Sequence, residues 1–361
     1  MRLLTALILL FLVGGCDSTG ISPVEAQDRV DLSRPWNTAH PEAVGLSEAA
    51  VAAAVDRAQA ESRIQSLLVV KDGYLVVEQY FGGSDEGSLF DVRSVTKGVV
   101  GALTGIALQD GILDSLDQPV GPLLRGVAEQ VPARFDSVTV RHLLQMTSGL
   151  EWPENNGDAF QRWMASGNLI QFVLDQPFSD APGARFNYNS GTVHLLGVVL
   201  QEAYGRGLEE FARDRLFSPL GISRVSWEAA GTRFVNGGTG IDLRAQDLAR
   251  WGQLFLQEGA SGDRQVVPEA WIHFAAEPAF SWRSTYGSLK DYTYGGLWWT
   301  TSGGAYLSWG WGGQFVYVEP ARRLVVVLTT DWRQVGGEGP GPLTREALSI
   351  IIDEIAAGAT G

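Results

Sequence analysis

Two pairs of short apolar runs, one near each end of the chain, constrain the fold most strongly. In the first pair, residues 66–70 and 74–78 flank the turn Lys71-Asp72-Gly73. In the second pair, residues 315–318 and 324–328 flank a turn that contains charged residues and a proline. Short apolar runs separated by turn residues are typical of β-hairpins. The pattern predicts one antiparallel sheet to which both ends of the chain contribute.

Helical patterns occupy much of the remaining chain. One begins after Ser47, a residue type that caps helices well, and continues to about Glu61; another covers Leu343 to Ala357. Between the hairpins, the mostly helical segments lie near residues 140–146, 169–174, 191–203, 208–216 and 245–256.

These patterns together predict the architecture. The expected fold class is α/β (α+β), with an antiparallel sheet from about 62–93 and 290–335 and terminal helices that cover it. A mostly helical domain is expected as an insertion over about 98–285. A cleft between the sheet and the insertion is the natural place for a ligand.

The N-terminus carries a targeting pattern. Arg2 precedes an apolar run over residues 3–13, which is too short for a spanning helix. The run ends in Val13-Gly14-Gly15-Cys16, after which the sequence turns polar. The pattern is similar to a bacterial lipoprotein signal over residues 1–15, with cleavage before Cys16 and lipid on its thiol. An ordinary secretory signal is the alternative.

Cys16 is the only cysteine in the chain, which favours the lipoprotein interpretation and excludes disulfides within the chain. Residues 16–37, with scattered Ser, Pro and Gly, are expected to form a tether. Residues 38–361 would then form the folded domain. We therefore expect the protein on the extracytoplasmic side of the bacterial cell envelope, bound to a membrane through its N-terminal lipid.

Composition limits the partners of the folded domain. The formal net charge of −14 argues against nucleic acid and against binding of the domain itself to anionic lipid. With 45% hydrophobic residues in 361, the chain can bury a large core. Past the N-terminus, no apolar run is long enough to span a bilayer.

The segment Ser94-Val95-Thr96-Lys97 indicates a serine nucleophile activated without histidine. Residues three apart on a helix lie on one face, so Lys97 can reach the hydroxyl of Ser94. A buried, neutral amine can accept the proton that a weak serine nucleophile must lose. The chain has only two other lysines, Lys71 and Lys290, so a chance match is improbable. We expect an apolar helix after Ser94, with Gly98, Gly101 and Gly105 on one stripe.

Several further segments resemble those of the serine β-lactamase-like superfamily, which includes class C β-lactamases, DD-peptidases, family VIII carboxylesterases and 6-aminohexanoate-dimer hydrolases. The resemblance covers roughly residues 40 to 357. The segments that carry it, besides the Ser-x-x-Lys motif, are residues 108–117, 138–150 with its Thr-Ser-Gly, 182–191 with its Tyr, 237–240 and 245–252.

The resemblance implies a second catalytic residue, Tyr188. A phenol near Lys97 can be held deprotonated or can relay a proton to the leaving group. Two positions later, class C enzymes carry Asn, whereas this chain has Ser190. Its hydroxyl could still hydrogen-bond Lys97, so Ser190 is expected to orient the lysine.

The third motif of the superfamily departs most in this chain. Where β-lactamases have Lys-Thr-Gly, the corresponding segment is Ser308-Trp309-Gly310, followed by Trp311. The resemblance implies that this strand lines the substrate site. Backbone N–H groups of Ser94 and Trp311 are expected to form an oxyanion hole. Without the lysine, a β-lactam carboxylate loses its charged partner.

Other chemistries lack their motifs. The sequence contains no Gly-x-Ser-x-Gly elbow and no His-Glu-x-x-His zinc pattern, and we expect no metal or cofactor. The expected activity is hydrolysis of small esters or linear amides through an acyl-enzyme on Ser94. The alternatives are a β-lactamase, a DD-peptidase, or a penicillin-binding-like envelope receptor that is acylated but does not turn over.

Overall fold

The computed structural model describes residues 29–154 and 157–361. Its strands, in chain order, are β1 (Ile64–Lys71), β2 (Tyr74–Tyr80), β3 (Phe90–Asp91), β4 (Ser226–Trp227), β5 (Ala229–Ala230), β6 (Phe234–Val235), β7 (Ile241–Leu243), β8 (Ala260–Ser261), β9 (Arg264–Gln265), β10 (Ser284–Tyr286), β11 (Leu289–Tyr294), β12 (Trp299–Thr301), β13 (Tyr306–Gly310), β14 (Gln314–Glu319) and β15 (Leu324–Thr330).

The α-helices are α1 (Glu48–Ala60), α2 (Thr96–Gln109), α3 (Gly121–Leu124), α4 (Val140–Leu144), α5 (Ala159–Met164), α6 (Leu169–Leu174), α7 (Ser190–Tyr204), α8 (Leu208–Ala212), α9 (Ala245–Leu256), α10 (Glu269–Ala276) and α11 (Gly341–Ser349). Short π-helical segments continue α8 over Arg213–Phe217 and α11 over Ile350–Ala356. None of these described helices has the length and apolar character needed to cross a bilayer.

The main sheet has eight strands in the order β10-β11-β12-β13-β14-β15-β1-β2, and every neighbouring pair is antiparallel. The two hairpins predicted from the sequence are β1–β2 and β14–β15, and they join edge to edge through the pairing of β1 with β15. The predicted fold class, an antiparallel sheet flanked by helices, is confirmed.

The sheet has a hydrophobic core on each face, as strand alternation requires. Leu68 and Val70 of β1 pack into the larger core together with residues of α2, α7 and α9. Leu67 and Val69 point the other way, into a smaller core shared with α1 and α11. The helical insertion therefore lies on one face of the sheet and the terminal helices lie on the other.

Glycines let α2 lie deep in the larger core. Every residue from Thr96 to Ala107 is buried. A Cβ at Gly105 would lie 2.3 Å from the ring of Trp271, so only glycine permits this contact. At Gly98 a Cβ would lie 3.3 Å from the indole nitrogen of Trp298. The predicted small-residue stripe is thus a surface of close packing.

Phe90–Asp91 lies outside the main sheet, although the sequence assigned residues 62–93 to it. These residues pair with β7 in a separate three-stranded sheet of order β3-β7-β4. The pairing is long-range, because Phe90 lies opposite Leu243. The chain therefore reaches Ser94 from this small sheet.

The end of the expected tether, residues 29–37, differs from a free linker because it packs on the domain. Leu32 is 1% exposed, its N–H donates to Ser261 Oγ at 2.9 Å, and its carbonyl accepts from Arg250 Nε at 3.0 Å. A buried apolar side chain with satisfied backbone groups favours docking over solvation. The signal over residues 1–15 and Cys16 lie outside the described residues, so the predictions for them stay predictions.

Candidate active site

Ser94 lies at the junction of two elements. It is the middle residue of a 3-10 turn, Arg93–Val95, which continues directly into α2. The turn begins in a strained conformation, because Arg93 has a φ of +52°. The N–H of Arg93 donates to Asp91 Oδ1 at 3.0 Å, which helps to hold this conformation. The backbone thus presents Ser94 just before the helix.

Lys97 contacts Ser94 directly. Its Nζ donates to Ser94 Oγ at 2.8 Å and to the carbonyl of Gly238 at 2.6 Å. The lysine is 1% exposed, and this burial is the main reason why its pKa is lowered to about 8. The positive charge of Arg93 also lowers the pKa of Lys97, whereas the negative charge of Glu154 raises it. The lowered pKa makes the neutral amine, which can act as a base, more accessible near neutral pH than it is for an exposed lysine.

The carbonyl of Gly238 can reach Lys97 because two glycines bring their loop against α7. A Cβ at Gly238 would lie 2.4 Å from the carbonyl oxygen of Ser190, and one at Gly237 would lie 2.7 Å from that of Val193. The N–H of Gly237 faces Nδ1 of the buried His194 at 3.4 Å. Burial lowers the pKa of His194 to about 4, so this imidazole is neutral at pH 7.

Tyr188 lies beside the Ser94–Lys97 pair. Lys97 Nζ is 5.2 Å from the centroid of the Tyr188 ring, which stacks on Trp299 at 5.9 Å with an interplanar angle of 14°. Burial raises the pKa of the Tyr188 phenol, the charge of Glu154 adds to the rise, and the hydroxyl of Ser94 opposes it. The phenol is therefore protonated at neutral pH, which suits a proton relay better than a phenolate base.

Ser190 makes a different contact from the one expected. Its hydroxyl donates to Glu154 Oε1 at 2.6 Å and its backbone N–H donates to Glu154 Oε2 at 2.7 Å. Lys97 instead bonds Ser94 and Gly238. A carboxylate makes stronger, charge-assisted hydrogen bonds than a neutral acceptor, so it takes the single hydroxyl proton. Through Glu154, whose charge raises the pKa of Lys97, Ser190 is linked to the lysine indirectly.

Glu154 is the site residue that sequence reasoning missed. Its Oε2 also accepts from the indole nitrogen of Trp152 at 2.7 Å, so both carboxylate oxygens are engaged. The only sequence signal was an acidic residue shortly after the segment that ends at Leu150. Its partner Ser190 is 36 positions away, a separation that local patterns do not reveal.

The third-motif strand, β13, lies against the residues that lead into the Arg93–Val95 turn. A Cβ at Gly310 would lie 2.3 Å from the carbonyl oxygen of Val92, so glycine allows the two backbones to meet. Ser308 is 2% exposed, and its Oγ would lie 3.4 Å from a Cβ at Gly98 on α2. Trp309 points to the opposite face of the strand, where its ring contacts Phe315 at 5.6 Å between centroids.

Trp311 follows β13 and remains 44% exposed. Its ring meets Trp332 edge to face, with 5.7 Å between centroids. The next two residues have positive φ, +84° at Gly312 and +101° at Gly313. The turn therefore needs glycine at both positions, and it places the backbone of Trp311 at the end of β13 that contacts Val92, just before the Arg93–Val95 turn.

Aromatic side chains form a connected group that includes Tyr188. Tyr294 packs edge-on against Trp299 at 4.7 Å, and Phe186 lies 5.2 Å from Tyr294 and 5.3 Å from Trp282. Phe186, Trp282 and Trp299 are partly exposed. This aromatic wall, defined as Tyr188, Trp299, Tyr294, Phe186 and Trp282, offers an apolar surface beside the candidate nucleophile.

A family model described as Beta-lactamase matches residues 51–348 of the chain. The chain belongs to the beta-lactamase family. The matched span contains Ser94, Lys97, Tyr188 and all of β13.

Among curated relatives, the 6-aminohexanoate-dimer hydrolase of Paenarthrobacter ureafaciens is 23% identical over 307 residues, which are 79% of this chain and 75% of the relative. A Bacillus anthracis structure assigned as a 6-aminohexanoate-dimer hydrolase superposes with a TM-score of 0.70 at 19% identity, covering 90% and 88% of the two chains. A simvastatin synthase mutant from Aspergillus terreus gives a TM-score of 0.64 at 17% identity, covering 86% and 98%.

These similarities confirm the resemblance drawn from the motifs. At such low identities the two solved structures share the fold with this chain and no more. This chain of the beta-lactamase family is a serine hydrolase.

One trio of described residues in this beta-lactamase-family chain could hold a metal ion. Glu258, Glu269 and His273 bring ligand atoms within 4.8 Å of one another. Glu258 also pairs with Arg29 at 3.7 Å, and Glu269 and His273 are exposed. The trio shares no residue with the Ser94–Lys97–Tyr188 cluster.

Proposed function

We propose that this beta-lactamase-family hydrolase forms an acyl-enzyme on Ser94 and hydrolyses small esters or linear amides. One observation carries the proposal. The buried Nζ of Lys97, with a pKa lowered to about 8, lies 2.8 Å from the hydroxyl of Ser94. An amine in that position and state is able to take the proton as the serine oxygen attacks.

In the acylation step, the neutral amine of Lys97 accepts the proton of Ser94 while Oγ bonds to the substrate carbonyl carbon. The carbonyl oxygen gains negative charge, which the N–H groups of Ser94 and Trp311 stabilise by about 10²–10³ in rate for each donor. The phenol of Tyr188 gives its proton to the leaving oxygen or nitrogen and regains one from Lys97. The carbon–heteroatom bond breaks and the acyl-enzyme remains.

In the deacylation step, water attacks the ester carbonyl of the acyl-enzyme. The Lys97–Tyr188 pair accepts a proton from that water, and Ser94 Oγ leaves with a proton, which restores the starting state. The aromatic wall keeps one side of the reacting centre apolar, which strengthens these electrostatic contacts.

The side chains around the site favour neutral substrates over β-lactams. Ser308 stands where the resemblance places a lysine in β-lactamases, so a substrate carboxylate there meets a hydroxyl. The aromatic wall suits short apolar acyl or alkyl groups. The relative from Paenarthrobacter ureafaciens is named for a linear amide substrate, 6-aminohexanoate dimer, which supports including linear amides.

We also propose that the mature protein is lipid-anchored through Cys16 on the extracytoplasmic side of a bacterial membrane. The apolar run over residues 3–13 and the placement of the only cysteine after Gly14-Gly15 support this location. In metabolic labelling with radioactive palmitate, the wild type should incorporate lipid and Cys16→Ser should not. Absence of label in the wild type would leave an ordinary secretory signal as the better interpretation.

The proposed activity is tested with a substrate panel on one preparation: p-nitrophenyl esters of increasing acyl length, a linear 6-aminohexanoate dimer, nitrocefin and a D-Ala-D-Ala peptide. Turnover should be greatest for a short ester or the linear amide, and Ser94→Ala should abolish both turnover and fluorophosphonate labelling. Labelling without turnover on any substrate would instead favour the receptor alternative. Labelling of a folded Ser94→Ala protein would place the nucleophile elsewhere.

A further inference from the structure

Trp332 lies where the two halves of the proposed oxyanion hole meet. It begins the 3-10 turn Trp332–Gln334, immediately after β15 and Asp331. One half of the oxyanion hole comes from the nucleophile turn that contains Ser94, and the other from the turn after β13 that contains Trp311. Trp332 contacts a neighbour of each of these two residues.

On the Trp311 side, the contact is with the backbone. A Cβ at Gly312 would lie 2.5 Å from the Cβ of Trp332, so the turn lies directly on this residue. The ring of Trp332 also meets that of Trp311 at 5.7 Å. The Gly312 carbonyl accepts a hydrogen bond from Thr330 Oγ1 at 2.8 Å, which ties the same turn to the end of β15.

On the Ser94 side, the contact is a cation–π stack. The guanidinium carbon of Arg93 lies 4.4 Å from the centroid of the Trp332 ring, well within the range of such interactions. Arg93 immediately precedes Ser94 and has the strained φ of +52°. A non-glycine residue keeps such a conformation only where its surroundings hold it there.

A second guanidinium and a carboxylate complete the arrangement. Arg333 lies 4.6 Å from the same ring, and its Nη2 pairs with Asp91 Oδ2 at 3.4 Å. Asp91 also accepts from the backbone N–H of Arg93 at 3.0 Å, and it pairs with the Arg93 guanidinium at 3.8 Å. The side chain of Arg93 is therefore held between the indole ring and Asp91.

We infer that Trp332 is a positioning residue, which fixes the distance between the backbone N–H groups of Ser94 and Trp311 by packing against Arg93 and Gly312. The inference rests on the proposed function, because it concerns the same oxyanion hole. Oxyanion donors stabilise the transition state only when they are placed in advance within a few tenths of an ångström. A smaller, non-aromatic residue at 332 would keep the Cβ contact with Gly312 but lose the ring contacts with Arg93 and Trp311.

The test compares Trp332→Leu and Trp332→Phe with the wild type. We expect Trp332→Leu to lower kcat for p-nitrophenyl butyrate by roughly 10–100-fold, because misplacing an oxyanion donor should cost less than the roughly 10²–10³-fold lost when a donor is removed. The KM should change by less than about threefold. The affinity of an alkylboronic acid, which forms a tetrahedral adduct on the serine, should fall by a similar factor. Trp332→Phe retains an aromatic face for Arg93 and should recover most of both losses.

A matched control is Trp36→Leu, because Trp36 also lies near an arginine, 5.9 Å from the Arg250 guanidinium, but belongs to the N-terminal residues 29–37 and to neither oxyanion segment. Its kcat and boronate affinity should stay close to wild type. If Trp332→Leu does not fold, Arg93→Met removes the same stack while Trp332 remains, and kcat is then compared on the pH-independent plateau. The same loss of kcat and boronate affinity is expected.

Two results from the Trp332 variants would overturn the inference. A raised KM with unchanged kcat would make Trp332 a substrate contact, and an unchanged boronate affinity in a folded Trp332→Leu would leave it a packing residue only. Failure of the proposed function looks different, since the wild type itself would then turn over no ester or amide. In that case the boronate comparison still tests the inference, and a wild type that binds no boronate contradicts both.

Discussion

Ser190 and Glu154 share two hydrogen bonds, one from the serine hydroxyl at 2.6 Å and one from its backbone N–H at 2.7 Å. Because Ser190 is the first residue of α7, the carboxylate lies at the positive end of a 15-residue helix, where a negative charge is stabilised. Its charge also acts on Lys97 and Tyr188, whose pKa values it raises. The pair therefore links the N-terminus of α7 to the protonation of Lys97.

Glu154→Gln should move the acidic limb of the kcat/KM profile to lower pH. The sign follows from the charges around Lys97: Glu154 raises its pKa, Arg93 lowers it and the Tyr188 phenol is neutral, so removing the carboxylate lowers the pKa of the base. We expect kcat on the plateau to fall by less than about tenfold, since Lys97 remains. Glu151→Gln, an exposed neighbour, is the control, and an unmoved limb would contradict the coupling.

Tyr188→Phe should lower kcat by about 10²-fold or more on amides, which is within the range that a positioned proton transfer contributes. The ring stacked on Trp299 is kept, so the thermal midpoint should change little. The measurement is kcat for an ester and an amide with the same acyl group. We expect kcat to fall more for the amide than for a p-nitrophenyl ester, because an amine must be protonated to leave, whereas p-nitrophenolate can leave as an anion. Equal and small losses of kcat would make Tyr188 a packing residue.

In the wild type the free energy of unfolding should rise between about pH 8 and 10, and Lys97→Met should remove this rise. Because burial lowers the folded-state pKa of Lys97 from 10.5 to about 8, the unfolded chain binds more protons between these values. Unfolding free energy then rises with pH in this window, by roughly 2 kcal/mol between about pH 8 and 10. Urea unfolding of both proteins across this range isolates the lysine contribution, and identical slopes would mean that Lys97 is not desolvated. The variant should also be inactive.

Ester hydrolysis should exceed nitrocefin hydrolysis, and Ser308→Lys should narrow the gap. A hydrogen bond to a charged group contributes about 1.5–3 kcal/mol, which corresponds to roughly 10–150-fold in kcat/KM for a substrate with a carboxylate. Ser308→Met, similar in length but uncharged, controls for the crowding of the buried position beside Gly98. If Ser308→Lys and Ser308→Met behave alike toward nitrocefin, the missing lysine does not explain the preference.

The sequence by itself determined the features that depend on short spacings. The contact between Ser94 and Lys97 follows because the two residues are three positions apart at the start of a helix. The hairpins β1–β2 and β14–β15 follow from pairs of apolar runs that flank a turn. The order of the motifs indicated the family.

The tertiary structure alone decided what surrounds the lysine. Lys97 bonds the carbonyl of Gly238, 141 positions away, and the acidic residue that raises its pKa comes from a segment that no motif marks. The same is true of Trp332, which follows β15 and contacts Arg93, a residue far away in the sequence. Burial and charge depend on which distant segments pack together, and packing is a property of the whole chain that spacing along it does not encode.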